Sequence, residues 1–317
     1  MLGVEYGCGM DGVSLGGGGL MSGGVEHCMI PLLYKDRRFE GETPVRRAQL
    51  VELHLLEVLK AICEAHGLRF WLAYGTLIGA LRHKGFIPWD DDLDVWMLQE
   101  DYERFVQYAR KELPEDVYLE LPNDNPRMEN GLTRLRDNYS MGLNNHSRRM
   151  LLNDHHGISI DIFALRRAGS NNRVSNFFLH QYETTYGKWR RARYAEVGVL
   201  SLIDKWMKFV WTWACFCVWS LIEFFYLKKP YFITRDWYLG WKFWYPVEWV
   251  IGQGGKVVRT AEFEGVQMPI PVEPELCLSK EYTNFRELPP EEKRVGYFAS
   301  SFVDDPCFHP AAMRLKR

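Results

Sequence analysis

The sequence lacks the cysteine and histidine spacings that mark a structural metal centre or a disulfide framework. Its seven cysteines include no Cys-x-x-Cys pair, and no histidine pair accompanies them at zinc-ligand spacing. We therefore expect free thiols, no zinc site, and a reducing cytoplasmic compartment.

The sequence also lacks a strong net charge, and no signal peptide is expected in its first residues. The formal net charge is −2 at pH 7, so no overall field favours nucleic acid, and no nucleic-acid partner is expected. Residues 1–28 are rich in glycine and carry no apolar signal-peptide core, so we expect disorder there, with Met29 as an alternative start. The remaining chain is expected to form a catalytic domain over 29–300 and a short tail over 301–317.

No uncharged apolar run reaches the roughly 20 residues that a membrane-spanning helix needs. The longest is residues 209–222, which are 14 residues without a charge, inside an apolar helical segment at 200–230. Aromatic residues are abundant here, and basic residues flank the segment on both sides: Arg190, Arg191, Arg193, Lys205 and Lys208 before, and Lys228 and Lys229 after. Two main interpretations remain open, a helix buried in the protein and a helix bound peripherally at the inner face of a membrane. A span over 206–227 is a third, less favoured one, because Lys208 and Glu223 interrupt it.

Hydrophobic periodicity and turn residues predict a mixed α+β fold. Helices are expected at 45–67, 101–113 and 288–294. Strands are expected at 68–74, 133–136 and 157–163, with a pair of short strands at 260–271 around Gly265.

Four acids stand together between large apolar groups, in the sequence IPWDDDLDVW. Asp90, Asp91, Asp92 and Asp94 would repel one another beside a core unless a positive group were present. If this stretch is a strand, Asp92 and Asp94 point to the same face. Paired carboxylates suit Mg²⁺ or Mn²⁺, whereas a solvated acidic loop is the alternative.

Two further elements sharpen the prediction of a metal site. Gly75-Thr76 stands between an expected strand and a helical segment, where backbone N–H groups can receive phosphate. Asp161 lies inside the apolar run GISIDIF, which is a poor place for an acid that serves stability alone. A glycine–hydroxyl element followed by acids on two strands is typical of a nucleotidyltransferase-type site, in which carboxylates hold the metal ions.

The sequence at this point resembles the LicD family, which includes the fukutin-type transferases. The segments that carry the resemblance are YGTLIGALRHKGFIPWDDDLDV at 74–95, GISIDIF at 157–163, FEGVQMPIP at 263–271 and LPPEEKR at 288–294. Together they span roughly residues 45–295. Ala164 departs from the family pattern, in which a proline often follows the IDIF strand.

The resemblance implies a nucleotidyltransferase-like fold, a short mixed sheet flanked by helices. It also implies a phosphotransferase for substituted phosphate groups, which moves phosphocholine or ribitol phosphate from a CDP-alcohol to a cell-surface or lipid-linked glycan. Such glycans include lipopolysaccharide, teichoic acid and capsule. A nucleotidyltransferase that adds a nucleotide to a sugar or macromolecule, and an inactive membrane-associated scaffold, are the alternatives.

Residue roles follow from the resemblance where the motifs match. Asp92, Asp94 and Asp161 would be catalytic and metal-binding, with Asp161 also placed to act as base on the acceptor hydroxyl. Asp90 would be a further ligand or support, and Asp91 is expected to face solvent. Gly75 and Thr76 would contact donor phosphates. Apart from the resemblance, Arg82 and Lys84 stand between the glycine element and the acids, so we expect them to pair with the pyrophosphate, with surface solvation as the alternative. Arg134, Arg136 and Asp137 are expected to line the cleft.

Overall fold

A computed structural model of the chain defines the architecture. It describes residues 37–122, 124, 132–142, 155–168, 174, 177–178, 181–182, 199–226, 231–233, 244–255, 258–294 and 302–303. The expected N-terminal segment 1–28 lies outside the described residues, as does all of the expected tail except 302–303.

Helices and strands alternate along the chain in a mixed α+β arrangement. The helices are α1 (Pro44–His66), α2 (Tyr74–His83), α3 (Gln99–Glu112), α4 (Val199–Tyr226), α5 (Val247–Ile251) and α6 (Pro274–Glu281). The strands are β1 (Phe70–Leu72), β2 (Asp94–Leu98), β3 (Val117–Glu120), β4 (Thr133–Asp137), β5 (Met141–Gly142), β6 (Ser159–Ala168), β7 (Tyr231–Ile233), β8 (Trp244–Pro246), β9 (Arg259–Phe263), β10 (Val266–Ile270) and β11 (Phe302–Val303).

The main sheet has the strand order β1-β2-β6-β4-β3, and β7 and β8 extend it from the far end of β6. Strands β2 and β6 run parallel, while the other described pairs in this sheet are antiparallel. The sheet is therefore mixed, as the sequence predicts. Two smaller antiparallel pairs, β9–β10 and β5–β11, lie beside it.

Strand β2 lies inside the sheet and is buried on both faces. Its side chains alternate between two hydrophobic clusters. Val95 and Met97 belong to the larger cluster, which includes the apolar face of α1. Trp96 and Leu98 belong to a smaller cluster, which includes Tyr245 of β8. By the same alternation, Asp94 points to the face that holds Trp96.

Helix α1 confirms the predicted helix at 45–67. The Thr43 side chain accepts a hydrogen bond from the Arg46 N–H at its start, and Pro44 occupies its first turn. Gly67, with φ of 60°, ends it in the left-handed conformation that glycine adopts without steric cost. The helix predicted at 101–113 and the strands predicted at 133–136, 157–163 and 260–271 are also present.

Two predicted elements are shorter than expected. The strand expected over 68–74 ends at Leu72, because Tyr74 already opens α2. The helix expected over 288–294 is a single 3₁₀ turn at Glu291–Lys293. Pro289 and Pro290 precede this turn, and the residue before a proline is disfavoured in helical conformation.

Helix α4 confirms that the apolar segment 200–230 is helical over most of its length. None of its residues belongs to either hydrophobic cluster of the described chain. Among the helices that the structure describes, none is long and apolar enough to cross a membrane.

Candidate active site

Asp94 and Asp161 are brought together by the parallel pairing of β2 with β6. They are direct partners in the strand register, at the first residue of β2 and the third of β6. The Asp161 N–H donates to the Leu93 carbonyl at 2.9 Å, and the Ala73 N–H donates to the Asp94 carbonyl at 3.0 Å. Three successive strands therefore fix this pair of carboxylates at one place on one face of the sheet.

Gly75 and Thr76 sit directly beside these acids, at the start of α2. The Asp94 N–H donates to Thr76 Oγ1 at 2.8 Å, so the buried threonine hydroxyl holds the beginning of β2. A Cβ atom on Gly75 would lie only 3.0 Å from Asp90 Oδ2. A side chain at position 75 would therefore require the Asp90 carboxylate to shift slightly, and contact of either residue with donor phosphate stays a prediction.

The acidic loop differs from the prediction at two residues. Strand β2 begins at Asp94, so Asp92 lies in the preceding loop and is exposed. Asp91, expected to face solvent, is only 1% exposed. The turn at Ile87–Asp90, closed by the Asp90 N–H on the Ile87 carbonyl at 2.9 Å, reorients the chain and replaces the alternation of a strand.

Gln49 of α1 supports this loop from below. Its side-chain amide donates to the Ile87 carbonyl at 3.2 Å and to the Asp90 carbonyl at 2.7 Å. These two hydrogen bonds hold the turn from which the acidic loop continues. The sequence showed Gln49 only as a polar position in an amphipathic helix.

The acids raise one another's pKa values, as expected for carboxyl groups that lie near one another. Burial and then Asp91 raise the pKa of Asp90 to about 6. Desolvation, with Asp90 and Asp91 next, raises the pKa of Asp92 to about 8, although water at this exposed residue screens part of the effect. The pKa of Asp94 lies well above its usual range because of burial, Asp161 and Asp92. A divalent cation would reverse these shifts.

Glu52 of α1 is a fifth acid that sequence reasoning missed. It is 0% exposed, and neither carboxyl oxygen has a hydrogen-bond partner among the described residues. Burial, followed by the carboxylates of Asp92 and Asp91, holds the pKa of Glu52 well above its usual range. The available signal was an acid three residues after Gln49, on the face of α1 that also holds apolar residues.

Arg134 of β4 is the cation that contacts the site. Its Nε donates to Asp161 Oδ1 at 2.6 Å and its Nη2 to Asp161 Oδ2 at 3.3 Å. Burial lowers the pKa of Arg134, but the Asp161 carboxylate outweighs it and the pKa is raised overall. Of the three expected cleft residues, Arg134 is therefore placed as predicted.

Arg136 and Asp137 do not line the cleft with it. The Arg136 guanidinium is buried and donates to Glu120 and to the Gly157 carbonyl. Asp137 is 0% exposed and accepts two hydrogen bonds from Arg38, at 2.9 and 2.8 Å. Both form internal ion pairs, and Arg136 lies opposite Ser159, two positions along β6 from Asp161.

Arg82 and Lys84, the two expected phosphate-binding cations, are engaged elsewhere. Arg82 Nη1 donates to the Phe285 carbonyl at 3.2 Å and its Nε to His83 at 2.9 Å. Lys84 is largely exposed and forms a 3.1 Å ion pair with Glu262 of β9. These contacts give no support to phosphate binding by either residue, and that role stays a prediction.

The β9–β10 hairpin braces the loop that leads to the acids. Its turn is Glu264-Gly265, both with positive φ, the backbone form that two-residue hairpins favour. The Glu264 carboxylate accepts from Arg46 at 3.0 and 2.6 Å and from the Phe86 N–H at 3.2 Å. The hairpin motif and the acidic motif are therefore parts of one scaffold.

The C-terminal end of α6 forms another wall of the site. Tyr245 OH donates to the Glu281 carboxylate, and burial raises the pKa of Glu281 to about 8. Glu281 in turn contributes to the raised pKa of Asp94. Burial raises the pKa of Tyr282, with Glu281 and Asp94 as the next causes. Sequence reasoning assigned neither Glu281 nor Tyr282 to the site.

The donor set fits a hard divalent cation in type, since Asp92, Asp94 and Asp161 all carry carboxylate oxygens. Within the described residues, no three His, Cys, Asp or Glu side chains already converge as a complete ligand set. Both oxygens of Asp161 accept hydrogen bonds from Arg134. Metal binding by these acids therefore stays a prediction.

Comparison with known proteins adds to this geometry. Residues 67–190 match the family model for the LicD/FKTN/FKRP nucleotidyltransferase domain. This part of the chain, called the LicD segment below, is similar to that family. Asp92, Asp94, Asp161 and Arg134 all fall within the LicD segment, and Glu52, Glu281 and Tyr282 lie outside it.

Three relatives illustrate the LicD similarity. Lipopolysaccharide cholinephosphotransferase LicD of Haemophilus influenzae is 48% identical over 80 residues, which are 25% of this chain and 30% of that protein. The uncharacterized protein RT0683 of Rickettsia typhi is 36% identical over 73 residues, 21% of this chain and 24% of that protein. Ribitol 5-phosphate transferase FKRP of Homo sapiens is 50% identical over 40 residues, 13% of this chain and 8% of that protein. The chain thus spans less than a third of the length of each of these relatives.

Proposed function

We propose that this protein transfers a phospho-alcohol group, of the phosphocholine or ribitol phosphate type, from a CDP-activated donor to a hydroxyl of a cell-surface or lipid-linked glycan. The observation that carries the proposal is the Asp94–Asp161 pair on β2 and β6, inside the LicD segment. Relatives named for cholinephosphate and ribitol 5-phosphate transfer support the reaction class. A nucleotidyltransferase-like fold is part of the proposal.

In the reaction, the acceptor hydroxyl oxygen forms a bond to the phosphorus that carries the alcohol. The bond between that phosphorus and the bridging pyrophosphate oxygen breaks, and CMP leaves. The hydroxyl proton passes to a carboxylate, for which Asp161 is the candidate. Phosphoryl transfer of this kind depends on positioning and charge neutralisation more than on covalent help from the protein.

Asp92, Asp94 and Asp161 would hold Mg²⁺ or Mn²⁺, with Asp90 as a further ligand or support. When bound, the ion would neutralise charge on the donor's pyrophosphate oxygens. The chain's own contribution is to hold the acids in place through Thr76 and Gln49. Arg134 adds a fixed positive group beside Asp161, where a planar guanidinium can also bind a phosphate oxygen.

We place the reaction in the cytoplasm, in line with the free thiols of Cys63, Cys215, Cys217 and Cys277. The described cysteines include no disulfide, and burial raises the pKa of both Cys63 and Cys277. Buried thiols of this kind act as small apolar residues.

CMP release tests the proposed reaction. The protein is incubated with CDP-choline or CDP-ribitol, a lipid-linked glycan acceptor and Mg²⁺, and a matched sample contains EDTA. We expect CMP and phospho-alcohol-modified glycan in equal amounts with Mg²⁺, and neither with EDTA. Pyrophosphate release from a nucleoside triphosphate, with a nucleotide added to the acceptor, would instead assign a nucleotidyltransferase. Neither product with any donor would favour a scaffold.

A further inference from the structure

Helix α4 has one narrow covered face and a wide exposed one. Thr212 and Cys215 are 4% and 1% exposed, and the Thr212 hydroxyl donates back to the Lys208 carbonyl at 2.6 Å. Phe216, on this side of the helix, contacts Tyr182 with ring centroids 5.1 Å apart. The covered face is thus a single stripe at helical spacing.

The exposed face is apolar, which reverses the pattern of an ordinary surface helix. Its exposed large apolar side chains are Trp206, Met207, Phe209, Val210, Trp211, Trp213, Val218, Leu221, Phe224 and Phe225. At 100° per residue these side chains cover about 200° of the helix circumference. A contiguous apolar surface of this extent marks an interaction site.

The width of this face argues against a second helix as its occupant. A helix–helix seam uses about two residues per seven, a much narrower stripe than α4 exposes. A flat apolar medium, by contrast, can cover half of a helix at once. The Trp213 ring contacts the rings of Phe209 and Phe216 along the helix, and its indole group is exposed. Tryptophan is the residue that membrane–water interfaces favour.

Charge on and around α4 fits an anionic surface. Residues 188–229 contain eight Lys or Arg and three Asp or Glu, whereas the whole chain has a formal net charge of −2. Basic groups next to an apolar helix are attracted to anionic lipid. Lys208 and Glu223 bracket the 14 uncharged residues 209–222, whose helical length of about 21 Å falls short of a hydrocarbon core of about 30 Å.

We propose that α4 binds the surface of an anionic phospholipid membrane, lying in the headgroup region with its aromatic face toward the acyl chains. The occupant of this face is lipid, and the binding is peripheral. This inference goes beyond the proposed function and does not depend on it, because it concerns a surface outside the LicD segment. Its consequence is that the chain carrying the acids is held at a membrane surface.

Vesicle flotation tests this directly, with the full chain and no substrate. Vesicles contain phosphatidylcholine alone or phosphatidylcholine with about a quarter of phosphatidylglycerol. We expect the protein to float with the anionic vesicles, less so with neutral ones, and less so in high salt, which screens the basic residues. If the protein stays unbound with both kinds of vesicle, or binds both to the same extent, the proposal is overturned.

A pair of variants separates α4 from apolar surface in general. L221E/F224E places two charges on the exposed face, and we expect the vesicle-bound fraction to fall about tenfold or more. The matched control V258E/L288E changes two exposed apolar residues outside α4, and its vesicle binding should equal that of the unaltered protein. Equal binding by both variants would contradict the assignment to α4.

Two further readouts distinguish other occupants and keep the test interpretable. If L221E/F224E converts a dimer into a monomer in light scattering and flotation is absent throughout, a second copy covers α4 and the proposal fails. If alkaline carbonate does not release the bound protein, α4 is inserted across the bilayer and the peripheral assignment fails. Circular dichroism and CMP release with a short soluble acceptor should be unchanged in L221E/F224E, so loss of lipid binding is not loss of the fold or of the proposed reaction.

Discussion

The acid site and α4 are opposite exceptions to the usual placement of side chains. The site buries acidic groups, whereas α4 exposes apolar ones. At the site, Glu52 and Asp91 are carboxylic acids removed from solvent. On α4, rings such as Trp206 and Phe224 are exposed to it. Buried charge calls for a positive partner, and exposed apolar surface calls for an apolar one. The two regions therefore point to a divalent cation and to lipid respectively.

The two regions also differ in how firmly the fold fixes them. The site is held by strand register and by side-chain bonds from Gln49 and Thr76. Helix α4 contributes to neither hydrophobic cluster of the described residues. We infer that the site is preorganised for chemistry, whereas α4 serves to attach the protein to a surface. Variants should therefore affect one property and leave the other unchanged.

The largest effect is expected from D94N. It keeps the shape of Asp94 but removes a charged ligand, so turnover should fall about a thousandfold, while flotation with anionic vesicles stays unchanged. The matched control is D124N, at an exposed acid outside the acidic loop. Initial rates of CMP release measure the effect, and a D94N rate equal to that of D124N would defeat the assignment.

A smaller effect is expected at Arg134. R134Q removes the guanidinium bound to Asp161, and CMP release should fall by about tenfold to a hundredfold. R134K keeps a charge but loses the two-pronged geometry, so its rate should lie in between. The exposed Arg110 of α3 provides the control R110Q. If R134Q and R110Q release CMP equally fast, Arg134 has no part in the reaction.

The smallest effects are those on stability, and they depend on pH. The raised pKa values mean that the folded protein binds protons more tightly than the unfolded chain. This stabilisation is fully present below the unfolded pKa of about 4. It is lost as pH rises through the folded values of about 6 for Asp90 and about 8 for Asp92. Without metal, the melting temperature should therefore fall by several degrees between pH 5 and pH 8. Mg²⁺ should remove most of this fall.

Glu52 sharpens this test because Glu57, on the same helix, provides a matched control. Burial raises the pKa of Glu57 to about 7, but its charged neighbours are His54, Arg37 and Lys60 instead of the acidic loop. Both E52Q and E57Q should raise the melting temperature at pH 8 by a few degrees. Only E52Q should weaken the further increase that Mg²⁺ produces. Identical Mg²⁺ responses in the two variants would show that Glu52 does not act on the site.

The sequence predicted the parts of the site that local pattern determines. An acid in the apolar run GISIDIF identified Asp161, and the spacing of acids identified Asp94. Strand register between residues so far apart has no local signal, so their direct pairing emerged only from the fold. The burial of Asp91 escaped prediction because a turn replaces the expected strand there.

Long-range partners explain the remaining differences. Arg82 bonds to the Phe285 carbonyl, 203 residues away, and this partner cannot be inferred from the position of Arg82 beside the acidic motif. Glu52 reads as one polar residue in an amphipathic helix until the acidic loop is seen to pack above it. Helix α4 was predicted correctly as a helix, but its exposed aromatic face depended on knowing which side the protein covers.

Mn²⁺ binding, followed by electron paramagnetic resonance, reports on a cation at the acids without any substrate. We expect the unaltered protein and D124N to take up Mn²⁺ equally, and D94N and D161N to bind it about tenfold more weakly or worse. Equal uptake by D94N and D124N would contradict a cation site at the start of β2 and β6.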